Sequence, residues 1–295
     1  INEELDGCYV SGEFPTFLPV PGRLDVQFLR YWFRLPSVIT TVDADCSGST
    51  PLTRNRFKEN FFLDLEIPLP PLPEQRRIVS QIEQLAAQIH EARTLRHQAA
   101  EEAEALVPRS RGVRFSQLAN NFATRPLGDL ISMTSGEGLT SSQMDASAPY
   151  PVYGGGGLNG RYTRYLFEHP KIVIGRVGAR CGCVFVTEPK AWVTDNALYL
   201  TQTSHELCTQ YLVHALTNLD LRQQANQAAQ PVVSQKKINP MRIPVPPLPE
   251  QRRIVAELDA LQAEVDTLKR LQAETAAELE ALLPSILDRA FKGEL

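Results

Sequence analysis

The residues in this sequence whose types and spacing best suit chemistry are cations set beside glycines, and the chemistry they suit is the recognition of a polyanion. Arg176 and Arg180 lie in a glycine turn, residues 175–182, just after an apolar run at 172–174. A guanidinium can fork onto guanine O6 and N7 or onto a phosphate, whereas an ammonium presents only a point charge. Arg161 and Arg164, interleaved with Tyr162 and Tyr165, are further candidates, with the bracing of a hairpin as the alternative. Gly154, Gly155, Gly156 and Gly157 offer either bare backbone that can approach DNA closely or a tight β turn. Residues 230–237 read QPVVSQKK, in which Gln230, Ser234 and Gln235 can read or position while Lys236 and Lys237 neutralise phosphates. Thr53, Arg54, Arg56 and Lys58 fall at the corresponding place before Pro68, so the pattern recurs.

Other chemistries are disfavoured by context. Residues 155–160 formally satisfy GxGxxG, but a dinucleotide fold needs a helix opening in that loop and a carboxylate about 20 positions on. Here residues 161–165 are rich in β-formers and Pro170 follows. Asn239-Pro240-Met241 lacks the second proline and the aromatic of an adenine methyltransferase motif, and no phosphate loop or nucleophile setting is present. Cys8, Cys46, Cys181, Cys183 and Cys208 have no CxxC spacing, and His169, His205 and His214 form no ligand pattern with them. No residue is assigned a catalytic role, and no cofactor or metal is expected.

The net charge of -4 hides an asymmetry. Residues 109–243 carry 14 Lys+Arg against 8 Asp+Glu, whereas the segments on either side are acidic. One cationic module in an acidic chain is the footprint of a protein that meets nucleic acid with one part of its surface. No stretch approaches the roughly 18 apolar residues of a membrane span, and a cytoplasmic location is expected.

The elements that must position these residues are announced by an internal repeat. Residues 67–79 read IPLPPLPEQRRIV and residues 243–255 read IPVPPLPEQRRIV, a separation of 176 that holds without gaps to Phe115 and Phe291. Each copy opens with an extended proline run and continues as a helix, with Pro73 or Pro249 at its start and Glu74 or Glu250 at the positive end of its dipole. Apolar residues then recur at intervals of four and three: Ile78, Ile82, Leu85, Ile89, Ala92, Ala99, Ala103 and Leu106, matched by Ile254, Leu258, Leu261, Val265, Leu268, Leu279 and Leu282. That is a heptad seam, interrupted at the equivalent residues Arg96 and Gln272. The spacing predicts two helices of about 34 residues, roughly 50 Å long, packed antiparallel as a ruler. Because Glu74, Gln75, Arg76 and Arg77 recur as Glu250, Gln251, Arg252 and Arg253, two equal surfaces are expected to bind two copies of one partner.

Between the helices, residues 126–243 form a mixed module, with strands expected near residues 150–153, 171–175, 183–186 and 196–201 and an apolar helical stripe at Tyr211, Leu212, Ala215 and Leu216. Residues 1–67 look like the last half of a second module: Tyr9, Val10, Ser11 and Phe14 set against Trp192, Val193, Thr194 and Ala197, and Phe28, Leu29 and Trp32 in a helical stretch like that around Tyr211. The fold class is α+β. The division is 1–67 for the tail of a first module, 68–108 for the first repeat helix, 109–243 for the second module and 244–295 for the second repeat helix. The first half of the first module is expected to lie outside this sequence.

Two variable modules, each followed by a PLPEQRRIV-type helix, resemble the specificity subunits of type I restriction-modification systems. Residues 152–157 (VYGGGG), 174–179 (IGRVGA) and 194–197 (TDNA) are similar to recurrent pieces of that family's target-recognition domains. The resemblance implies that each module reads half of a split duplex DNA target, that the helices space the halves, and that the repeats dock two methyltransferase subunits and recruit a translocating restriction nuclease. The alternative from composition alone is a coiled-coil structural adaptor that binds proteins and never touches DNA.

Overall fold

In the computed structural model of the chain the described residues are 16–46, 59–224 and 232–295. The chain divides into two compact units, Ile1–Ala100 with Lys269–Leu295 and Glu101–Leu268. In chain order the helices are α1 (Val26–Trp32), α2 (Pro36–Asp45), α3 (Glu59–Leu63), α4 (Leu72–Asn121), α5 (Thr209–Asn218), α6 (Gln235–Ile238) and α7 (Leu248–Phe291). Among the described residues no helix is long and apolar enough to cross a membrane.

The first unit is helical where it is described. Asp25 caps α1 by accepting hydrogen bonds from the amides of Gln27 and Phe28, and Pro36 opens α2 where its missing N–H costs nothing. The buried faces of α1 and α2 pack with Ile78 and Ile82 of α4 and with Leu287 and Ala290 of α7. Phe28 stacks at a tilt on Phe291, with ring centroids 4.8 Å apart. The start of α4 thus faces the end of α7, which makes the pair antiparallel. Arg96 confirms the direction by donating to the backbone carbonyls of Gln272 and Thr275. The two interruptions of the seam face each other, because they lie where the antiparallel pairing brings equivalent residues to the same level.

The second unit repeats that plan around a sheet. Its strands are β1 (Thr124–Pro126), β2 (Ile131–Ser135), β3 (Tyr150–Gly154), β4 (Gly157–Tyr162), β5 (Ile172–Gly175), β6 (Val184–Val186), β7 (Trp192–Val193), β8 (Ala197–Thr203) and β9 (Arg242–Pro244). A four-stranded antiparallel sheet runs in the order β2-β8-β5-β6, and a three-stranded one runs β4-β3-β7 with β3 and β7 parallel. Tyr153, Val173, Val193 and Ala197 pack between the two sheets. The other face of the larger sheet meets α5 together with Phe115 and Leu118 of α4 and Ile254 and Leu258 of α7. Tyr211 stacks on Phe115 at 5.4 Å and donates its hydroxyl to the Pro244 carbonyl. Phe115 and Phe291 are separated by the repeat distance, so Tyr211 in this unit does what Phe28 does in the first.

Two expectations about the helices change. Both helices run past their predicted length, α4 for 50 residues and α7 for 44, with Pro108 and Pro284 inside them. A proline removes one helical hydrogen bond; burial of Ala103, Val107 and Phe115 around Pro108 carries the helix through. The seam also shifts. Leu106 and Leu282 are exposed, and it is the next residues, Val107 and Leu283, that turn inward. A straight helix of 3.6 residues per turn drifts against a strict seven-residue repeat, and a four-residue step beyond Arg96 restores the contact.

Candidate nucleic-acid interface

The glycine loops of the second unit are built against one another. Gly154 and Gly157 face each other across the β3–β4 hairpin, leaving Gly155 and Gly156 as its turn. A β-carbon on Gly155 would stand 2.7 Å from the Asn196 carbonyl oxygen and 2.8 Å from that of Val177. One on Gly175 would stand 2.2 Å from the Gly155 carbonyl oxygen. Only glycine permits this approach, and it brings residues 154–157, 175–182 and 194–196 together. Gly157 turns the hairpin at φ +107°.

The cations fasten these loops. Arg176 donates to Ser135 Oγ at 3.3 Å and to the Asp195 carbonyl at 3.5 Å, while its own amide donates to the Asn196 carbonyl at 2.9 Å. Arg180, exposed, reaches back to the Gly156 carbonyl at 2.7 Å. Residues 232–238 join the same group, since Val233 N donates to the Arg176 carbonyl and Val177 bridges to Val232. Ser234 and Gln235 there are half-buried at the start of α6, and Lys236 and Lys237 are exposed. Arg176, Arg180, Ser234, Gln235, Lys236 and Lys237 therefore belong to one cluster of loops.

Other candidates are placed differently. Gly154 and Gly155 are buried, so the backbone that a ligand can approach is that of Gly156 and Gly157. Arg161 donates Nε to the Ala148 carbonyl at 2.6 Å and Nη2 to that of Pro149, which makes it a brace of the hairpin. Tyr162 packs edge-on to Trp192 and Tyr165 edge-on to Tyr150. Gln230, Thr53, Arg54, Arg56 and Lys58 lie outside the described residues, as does the proposed match of Tyr9, Val10, Ser11 and Phe14. Sequence reasoning passed over Ser135, Asn159 and Asn196 as site residues. Asn159 stands beside Gly160 and Asn196 lies within the TDNA run at 194–197, which were the available signals.

The repeated helix starts correct the reading of Gln75 and Gln251 as docking residues. Both are fully buried. Gln75 Oε1 accepts from Asp25 N at 2.8 Å, and Nε2 donates to the carbonyls of Arg23 and Pro70 at 2.9 and 2.8 Å. Gln251 Oε1 accepts from Cys208 N at 2.8 Å, and Nε2 donates to the carbonyls of Glu206 and Pro246 at 2.7 and 2.8 Å. Each amide spends its acceptor and both donors on backbone, tying the proline run and the start of α1 or α5 to the long helix. Glu74 and Arg77 form a two-bonded clasp at 2.7 and 2.9 Å, and Glu250 and Arg253 repeat it at 2.6 and 2.8 Å. Each arginine's hydrogen bonds hold its partner's carboxyl below the ordinary range. Arg76, which lies 3.8 Å from the Asp25 carboxylate, and Arg252 are exposed.

A family model described as the type I restriction modification DNA specificity domain matches residues 120–276. The EcoprrI type I restriction enzyme specificity subunit of Escherichia coli is 27% identical over 139 residues, 46% of this chain and 34% of the relative. The EcoDI specificity subunit of the same organism is 40% identical over 65 residues, 22% and 15% of the two chains. The matches thus span about a third or less of these relatives. Among solved structures, the HsdS subunit from Thermoanaerobacter tengcongensis aligns with a TM-score of 0.62 at 29% identity, covering 92% of this chain and 71% of that one. A chain from a structure of the type I R-M system, described for its complex assembly and conformational transition, aligns at 0.71 and 28%, covering 92% and 72%. With more than half of its residues inside the matched model, this chain belongs to the family of type I restriction-modification DNA specificity domains.

Proposed function

We propose that the chain is a DNA-recognition component of a type I restriction-modification complex, without catalytic residues of its own and acting in the cytoplasm. The observation that carries this reading is the convergence of Arg176, Arg180, Lys236 and Lys237 on loops that glycines pack rigidly together. Phosphate contacts from such cations orient a protein on duplex DNA, and base-edge contacts then select the sequence. Residues 109–243 act as one reading module and residues 1–67 as part of a second. The repeat helices set the distance between two half-sites, so the target is bipartite with an unread spacer. The duplicated helix starts, now reduced to Arg76, Arg252 and the two Glu–Arg clasps, dock two methyltransferase subunits, and the restriction subunit joins through that complex.

Binding of the purified chain to duplex DNA across a salt series tests the reading. Affinity should fall linearly on logarithmic axes, and Lys236→Ala should weaken all sequences alike while lowering the slope by about one phosphate contact. Absent or salt-independent binding would overturn it in favour of a protein-binding adaptor.

A further inference from the structure

Beside the cation cluster lies a cleft of about 340 Å³, open to solvent, with the backbone of residues 154–157 as its floor and Leu158, Asn159 and Asn196 at its edge. Leu158 is 62% exposed. Asn159 and Asn196 are exposed too, and among the described residues neither side-chain amide has a hydrogen-bond partner. The position of Asn159 is defined by the hairpin: a β-carbon on Gly154 would stand 3.6 Å from its Nδ2. The nearby guanidinium groups are in a different situation. Arg180 holds the Gly156 carbonyl, and Arg176 holds Ser135 and Asp195. The uncommitted hydrogen-bonding groups at this cleft are therefore neutral carboxamides on a backbone that cannot yield, since Gly155 is already wedged against two carbonyl oxygens.

A carboxamide offers one donor and one acceptor side by side, which complements adenine N6 and N7; guanine O6 and N7 instead ask for two donors, as a guanidinium supplies. An exposed aliphatic side chain next to it suits the methyl group of the paired thymine. We infer that this cleft reads an A·T pair in the half-site of the second unit, with Asn159 or Asn196 on the adenine edge and Leu158 against the thymine methyl. The inference rests on the DNA-recognition reading above and adds to it the base that the hairpin selects.

The test is selection from a random-sequence duplex pool by the purified chain and by its Asn159→Ala, Asn159→Asp and Asn196→Ala variants, followed by sequencing of the bound fraction. Thermal unfolding of each variant serves as the control for folding, and exposed asparagines should leave it unchanged. The wild-type motif should contain an A·T position whose preference falls on the order of ten-fold in one alanine variant while every other position is kept. If Asn159 is the reader, Asn159→Asp, which retains the shape but only accepts hydrogen bonds, should turn that position toward cytosine. An unchanged motif in all variants, a changed position that is not A·T, or a uniform loss of affinity with the motif intact would overturn the inference and leave DNA recognition standing. If the wild-type chain enriches no motif, the broader reading falls, and this one with it.

Discussion

Gln75 and Gln251 show how a buried side chain can pass for a surface motif. A polar residue repeated at a helix start, between glutamate and arginine, reads as something displayed to a partner. Hidden from the sequence is that the proline run and the incoming helix leave one amide and two carbonyls in need of partners at the same point, and a glutamine satisfies all three. Gln251→Ala and Gln75→Ala should each lower the stability of the chain by about 1–3 kcal/mol, because three backbone groups lose the partner that a buried amide supplied. Urea unfolding would check it, and a change under a few tenths of a kcal/mol would mean that the amides are not the locks described here. The glycines were more legible. Their run was visible as turn or contact, but only the packing at Gly175, where a β-carbon would meet the Gly155 carbonyl oxygen at 2.2 Å, explains why two separate glycine loops are needed. Arg161 was legible only as an alternative, since nothing in the sequence says that carbonyls of Ala148 and Pro149 wait for it.

At the level of elements, the repeat revealed most of the architecture. A shared 13-residue block predicts two like helices, and the apolar spacing predicts that they pack together; Ile78 and Ile82 against Leu287, and Ala103 and Val107 against Val265, are that pairing. The inward positions beyond Arg96 were misread because a heptad template assumes 3.5 residues per turn, whereas burial follows the helix actually formed. Strand β2 and the pairing of β1 with β9 were missed. The central register partners of β1 and β9, Arg125 and Ile243, are 118 residues apart, and a three-residue strand ending in proline carries no periodicity of its own. If the helices act as a ruler, inserting one heptad at the same level in both, at 1.5 Å per residue, lengthens each by about 10 Å. The preferred spacer should then grow by about three base pairs, at 3.4 Å each, with the half-site sequences kept. Selection from pools with varied spacers measures this, and altered half-sites would refute it.

Over the whole molecule, two units share one plan and differ in chemistry. Residue for residue, Phe28 corresponds to Tyr211 and Tyr31 to His214, and Leu287 corresponds to Arg111. His214 hydrogen-bonds Asp259 at 3.2 Å, yet burial pushes its imidazole below the ordinary range, against the pull of that carboxylate and with a further push from Arg111. A depressed histidine favours the neutral form in the folded chain, so its share of stability is complete above about pH 6.5 and is lost as the pH falls through the folded value. The second unit should therefore lose stability on acidification. The thermal midpoint should drop between about pH 7 and 5, and His214→Gln should flatten that dependence; an equal slope in the variant would assign the effect elsewhere.

The same plan has a cost for anyone who divides the chain. Phe28 of α1 and Ile78 and Ile82 of α4 are roofed by Leu287, Ala290 and Phe291 of α7, so α1 cannot finish its hydrophobic contacts until α7 has been made. A ribosome that stalls or a nuclease-trimmed gene that stops short of Leu287 would leave a bare apolar stripe more than two hundred residues upstream.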